Sequence, residues 1–101
     1  MFEYQVKEDG QIARIYLKGN LSIKDTKELK STIKDLIEKD KREIIFDFQE
    51  LAYIDSSGIG LLLYTYNATK ASNQTVKIEN LSPEVRTIFA VANLFQAFHI
   101  V

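Results

Sequence analysis

Apolar and polar residues alternate at the start of the chain, with Phe2, Tyr4 and Val6 set between Glu3, Gln5 and Lys7, which is the period of a half-buried strand. Asp9-Gly10 supplies a hairpin turn, because both residues tolerate positive φ. A return strand is predicted through Ile12, Ala13, Arg14, Ile15, Tyr16 and Leu17, broken by Gly19. The period then becomes helical. Ser22-Ile23-Lys24-Asp25 has the form of a capping box, in which hydroxyl and carboxylate satisfy the free amides of a helix start. Leu29, Ile33, Leu36 and Ile37 follow as one apolar stripe. Lys27, Lys30, Lys34, Glu38 and Lys39 occupy the other face and read as a solvated surface rather than a ligand site.

Residues 44–48, Ile-Ile-Phe-Asp-Phe, suit a central strand buried on both faces, which implies parallel pairing under helices. A second helix is predicted over residues 57–71, with a core stripe of Ile59, Leu62, Leu63 and Tyr66 and a second apolar stripe of Leu61, Tyr64 and Ala68. Thr75-Val76-Lys77-Ile78-Glu79 is a further strand. Ser82, Pro83 and Glu84 open a third helix as cap, first residue and acid near the positive end. Its stripe is Val85, Ile88, Phe89 and Ala92, with Asn93 as a left-handed stop. Residues 97–101 form a last short strand. The expected fold is α/β, a mixed sheet with helices packed against it in the order β-β-α-β-α-β-α-β, as one domain over residues 1–101.

Composition narrows the function. A chain of 101 residues, 46% apolar and 27% charged, is an ordinary globular domain with a modest core, too small for a large enclosed active site. Thirteen basic residues against 14 acidic ones argue against nucleic-acid binding. Without cysteine there is no disulfide frame, thiolate metal site or cysteine nucleophile. The opening residues lack the apolar core of a signal peptide, and no apolar run reaches the length of a membrane span, so a cytoplasmic address is expected. Catalytic groups are sparse. His99 stands alone among apolar neighbours, and Gly58-Ile59-Gly60 lacks the third glycine of a dinucleotide fingerprint and the lysine of a P-loop. Ser57 lacks the flanking glycines of a nucleophile elbow. The expectation is a non-enzyme with no cofactor and no metal.

Asp55-Ser56-Ser57-Gly58-Ile59-Gly60 stands where a buried strand hands over to a helix, and two readings fit it. In one, Asp55 or Ser56 caps the helix and Gly58 permits a tight turn. In the other, a serine at a helix N-terminus is a modifiable site, where an added phosphate is electrostatically tolerated. Three features favour the second reading. Two glycines in a first helical turn cost about 1 kcal/mol each relative to alanine, so close approach of another group is a natural reason for them. The second apolar stripe of the following helix has the character of a docking surface. Third, this serine stands at the helix N-terminus, whose positive end tolerates the charge of a phosphate.

Phe46-Asp47-Phe48, Leu51 and Ile54-Asp55-Ser56-Ser57-Gly58-Ile59-Gly60-Leu61 resemble the STAS domains, and among them the bacterial anti-sigma factor antagonists. Leu17-Lys18-Gly19-Asn20-Leu21 and Pro83-Glu84-Val85 with Phe89, Leu94 and Phe95 support the resemblance, which covers essentially the whole chain. It implies phosphorylation of the serine directly after the aspartate, here Ser56. It also implies a partner that is both anti-sigma factor and serine kinase. The unphosphorylated antagonist captures this partner and frees a sigma factor, phosphorylation ends the capture, and a serine phosphatase restores it. Ser22, Asp55, Ser57, Gly58, Gly60, Leu61 and Tyr64 are the expected partner-facing residues. Ser22 stands where the family commonly has an aspartate, so a contact through that carboxylate is not implied here. The same switch acting on a signalling enzyme or phosphatase is an alternative output, and a small enzyme is the remaining one. The free protein is expected to be a monomer that contacts neither nucleic acid nor membrane.

Overall fold

The computed structural model describes residues 1–91 and 98–100, the last two by backbone alone. Its elements are β1 (Phe2–Asp9), β2 (Ile12–Leu21), α1 (Ile23–Glu38), β3 (Glu43–Ile54), α2 (Ser56–Ala71), β4 (Thr75–Glu79), α3 (Pro83–Val91) and β5 (His99–Ile100). This is the predicted order. Ala92, Asn93, Ala97 and Val101, which the sequence assigns to the end of the third helix, its stop and the last strand, and Leu94 and Phe95, which support the resemblance, lie outside the described residues.

The described strands form one sheet in the order β1-β2-β3-β4-β5. β1 and β2 are an antiparallel hairpin, and the remaining neighbours are parallel. The hairpin loop is Gly10-Gln11, one residue further on than predicted, because Gly10 at φ 60° fills the first central position while Asp9 remains paired with Ile12. Gly19 does not end β2. It bends the strand at φ 91°, and a Cβ there would collide with the Met1 carbonyl oxygen, which accepts the Asn20 N–H at 3.1 Å.

β2, β3, β4 and β5 are parallel neighbours taken in chain order, so crossovers of one hand step in one direction and set every helix on the same face. The core agrees. Ile15, Leu17, Ile44, Phe46, Phe48 and Ile78 belong to a single apolar cluster with Leu29 and Ile33 of α1, Leu62 of α2 and Val85 and Phe89 of α3. Phe48 meets Phe89 edge-on with centroids 6.0 Å apart, and Phe98 closes the cluster against Phe89 and Tyr66. In α3, the Ser82 hydroxyl accepts the Val85 N–H at 3.2 Å, the expected cap.

β3 is buried on both faces along residues 44–48, as predicted, but the described helices cover one face only. On the other face Arg14, Ile45 and Lys77 are register neighbours, as are Tyr16, Asp47 and Glu79. Ile45 stays 4% exposed under this layer of long side chains, whose stems shield apolar surface while their charged heads meet water. Asp47 is the buried charge of the layer. It accepts from Arg14 at 3.3 Å, from the Gln49 N–H at 3.0 Å and from the Asn80 amide at 3.1 Å. Arg14 also pairs with Glu79, and that hydrogen bond raises the guanidinium pKa further.

Asp47→Ala would strand the Gln49 and Asn80 donors. We expect it to lower the unfolding free energy by about 2–4 kcal/mol. Urea titration should show a lower midpoint with an unchanged slope. A loss below about 0.5 kcal/mol would mean that solvent replaces these bonds, as it does at ordinary surface positions.

Candidate functional site

β2 and β3 end side by side, with Leu21 opposite Ile54, and the Asp55 N–H donates to the Leu21 carbonyl at 3.1 Å. α1 and α2 therefore begin together at the carboxyl end of two central parallel strands, the edge at which open α/β sheets bind their ligands. Ser22 and the stretch from Asp55 to Tyr64 are thus brought to one corner.

Each residue of that corner has a distinct task. Asp55 has extended backbone and caps α2, its Oδ1 accepting the Gly58 N–H at 3.0 Å while its carbonyl accepts the Ile59 N–H at 3.0 Å. Ser56 is the first helical residue, one earlier than predicted. It is exposed, and its hydroxyl has no hydrogen-bond partner among the described residues. Ser57 is half-buried and lines a groove between α1 and α2. Gly58 is buried, and a Cβ there would stand 2.6 Å from Ile54 Cγ1 and 3.0 Å from Leu21 Cγ. The approach that excludes a side chain at 58 is thus internal, and Gly58, expected to face a partner, is instead buried against the sheet. At the exposed Gly60 a Cβ would meet nothing within 4 Å, so nothing among the described residues excludes a side chain there.

Two further expectations need correction. Leu61 is 5% exposed and belongs to the core, not to an outward stripe. The buried row of α2 is Gly58, Leu61, Leu62, Thr65 and Thr69, and Ile59, Leu63 and Tyr66 are only partly buried. The threonines can be buried because their hydroxyls donate to the Leu61 and Thr65 carbonyls, both at 2.8 Å. Once they face inward, the helix turns so that Leu61 comes with them. Tyr64 remains half-buried at the groove, with Lys30 Nζ 4.5 Å from its ring centre. The second correction concerns Ser22, which holds the N-cap position of α1 but makes no side-chain cap bond. Its hydroxyl donates to Asp25 Oδ2 at 3.2 Å instead.

Sequence reasoning missed Ile23 and Tyr53, exposed by 71% and 51% on either side of this corner. β3 has 12 residues against 10 in β2 over the same paired length, and the register slips by one residue twice. Phe48, Leu51 and Ile54 consequently turn inward at intervals of three, leaving Tyr53 outside. A simple alternation could not signal this. Among the described residues no group of three His, Cys, Asp or Glu side chains could hold a metal ion, and no helix is long and apolar enough to cross a membrane.

The family model for the STAS domain matches residues 3–101. A STAS-domain containing protein of Pseudomonas aeruginosa is 29% identical over 92 residues, covering 91% of this chain and 90% of that relative. The fold is similar to that of the anti-sigma factor antagonist SpoIIAA in its unphosphorylated form, with a TM-score of 0.86, 26% identity, and coverage of 98% of this chain and 88% of the other. The Bacillus cell fate determinant SpoIIAA in its phosphorylated form superposes with a TM-score of 0.79 at 25% identity, over 98% of this chain and 91% of that one.

The two glycines predict opposite responses to alanine. Gly58→Ala forces a methyl group against Ile54 and Leu21 and should destabilise the domain by about 1–3 kcal/mol. Gly60→Ala meets open space and removes backbone freedom from the unfolded chain, so it should stabilise by up to about 1 kcal/mol. Thermal melting of both variants beside the parent checks the pair, and midpoints that move in the same direction would refute the division of labour.

Proposed function

The chain belongs to the STAS domain family, and from that membership we propose that it is an anti-sigma factor antagonist, a partner-switching protein without enzymatic activity of its own. Unphosphorylated, it captures an anti-sigma factor that is also a serine kinase, and so releases a sigma factor. Phosphorylation of Ser56 by that kinase ends the capture, and a serine phosphatase resets the protein. The action is cytoplasmic.

One observation carries this reading. Asp55 provides the helix cap, so the exposed Ser56 hydroxyl has no structural duty in the described protein. Of the two local readings of the segment, capping accounts for Asp55 and leaves Ser56 over. Ser57, half-buried in the groove, is the poorer substrate. The resemblance to SpoIIAA, solved in unphosphorylated and phosphorylated forms, supports the same assignment.

Phosphorylation acts on the interface and not on the fold. A phosphoserine carries about −1.5 to −2 charges near neutral pH. At the start of α2 it meets the positive end of the helix, a contact of roughly 0.3 to 1 kcal/mol. The adjacent Asp55 carboxylate opposes it by a comparable amount at a solvated site. Docking would strip water from the phosphate, and a hundredfold loss of affinity requires only about 2.7 kcal/mol.

With the kinase partner and ATP, Ser56→Ala should abolish phosphate incorporation and Ser57→Ala should retain it, read by phosphopeptide mapping. Labelling lost from Ser57→Ala alone would reassign the site. The phosphorylated protein should keep its circular dichroism spectrum and melting midpoint while its partner affinity falls at least a hundredfold. Tyr64→Asp should weaken capture with little loss of stability, whereas Leu61→Asp should unfold the domain. Intact folding of the Leu61 variant would contradict its place in the core.

A further inference from the structure

The groove lined by Ser57, the residue next in sequence to Ser56, has a charge of its own. Lys27 and Lys30 form its α1 wall, Ser57, Gly60 and Tyr64 its α2 wall, and the buried Leu61 lies at its floor. Among the described residues no carboxylate lines it. Both lysines are exposed, and neither has an ion-pair partner among the described residues; Lys30 only overhangs the Tyr64 ring. The carboxylates near these lysines lie outside the groove: Asp35 and Glu38 share a neighbouring hollow with both lysines, and Glu28 accepts the Tyr4 hydroxyl. Asp55 accepts the Gly58 N–H, and Asp25 accepts the Ser22 hydroxyl and lines a different hollow with Glu28 and Tyr4. On a chain with net charge −1 the groove is a local positive site with an apolar floor and open space above Gly60.

We propose that this groove receives an acidic segment of the captured kinase, with carboxylates set against Lys27 and Lys30 and backbone lying over Gly60. The inference rests on the switch reading above and supplies its chemistry. Unpaired cations on an interface select partners of opposite sign and steer their approach. Two lysines contribute two positive charges, and a phosphate on Ser56 brings about −1.5 to −2. The modification therefore nearly cancels the charge that attracts the partner, at a residue one helical turn from Gly60. Capture and release become two settings of one local electrostatic balance, and α2 need not move.

The probe is the purified kinase captured by the unmodified protein, identified by mass spectrometry. Zero-length carbodiimide coupling of the complex should join Lys27 or Lys30 to Asp or Glu side chains of that kinase. The charge-reversed K27E/K30E protein should bind at least tenfold more weakly, and phosphorylating it should reduce affinity far less than phosphorylating the parent. Lys18→Glu, away from the groove in an exposed pair with Glu50, should change affinity no more than about twofold. Phosphate-sensitive capture that survives K27E/K30E unchanged, with carbodiimide bonds only at other lysines, would overturn this inference and leave the switch intact. Capture indifferent to phosphorylation, or no capture at all, would overturn both.

Discussion

The first turn of α2 lies so close to the ends of β2 and β3 that no side chain fits at position 58. A Cβ there would come within 2.6 Å of Ile54 and 3.0 Å of Leu21, two residues that are themselves 1% and 0% exposed. Around this joint the rest is arranged. The Asp55 N–H ties the strand ends together, and its carboxylate satisfies the amide of the same Gly58. With Gly58 sunk against the sheet, Leu61, Leu62, Thr65 and Thr69 follow on the buried side of the helix. Ser56 and Gly60, two residues to either side of Gly58, are left facing out. The exposure of the serine is thus a geometric consequence of the glycine two positions on.

The one-sided cover of the sheet has a second consequence. With all helices on one face, the other face must protect a buried strand without a packed layer above it. Arg14, Lys77 and their partners Glu79 and Glu43 do so by lying over Ile45 and Asp47 as paired, long side chains. Such pairs contribute little individually when solvated. Their use here is coverage, and the buried Asp47 gives the layer a fixed centre by binding the β4–α3 turn through Asn80. The helical face can then commit its residues to the core and to the groove between α1 and α2.

Much of this was legible in the sequence where one physical rule acted alone. Strand alternation, the proline-marked start of α3 and the apolar run of β3 gave the element order because burial decides each of them. The site segment was legible as a place, since serines and glycines at a strand-to-helix junction have few other reasons to gather. Failures came where two rules competed. Hydrophobicity placed Leu61 outside the core and ignored Thr65 and Thr69, because a buried threonine is credible only once its hydroxyl has found a carbonyl one turn back. The double register slip in β3 hid Tyr53 for a similar reason, since an inserted residue changes the phase of alternation without changing composition. Ser22 and Asp25 had the right spacing for a capping box and bonded each other instead.

These errors bear on how such a site can be modified at all. A domain of this size is stable by only about 5–15 kcal/mol, so a residue that both caps a helix and receives a phosphate would risk the fold at every cycle. Here the capping duty falls on Asp55, and on the proposed reading the phosphate would fall on its neighbour. Asp55 holds the helix end, Gly58 holds the packing, and Ser56 is tied to neither. A doubly negative group added at Ser56 removes no bond that the folded protein makes, and it lands where the helix end offsets part of its charge. Were Ser56 phosphorylated as proposed, the free energy of the modification would fall almost wholly on whatever sits across the surface, which is the condition for a switch that changes partners and keeps its shape.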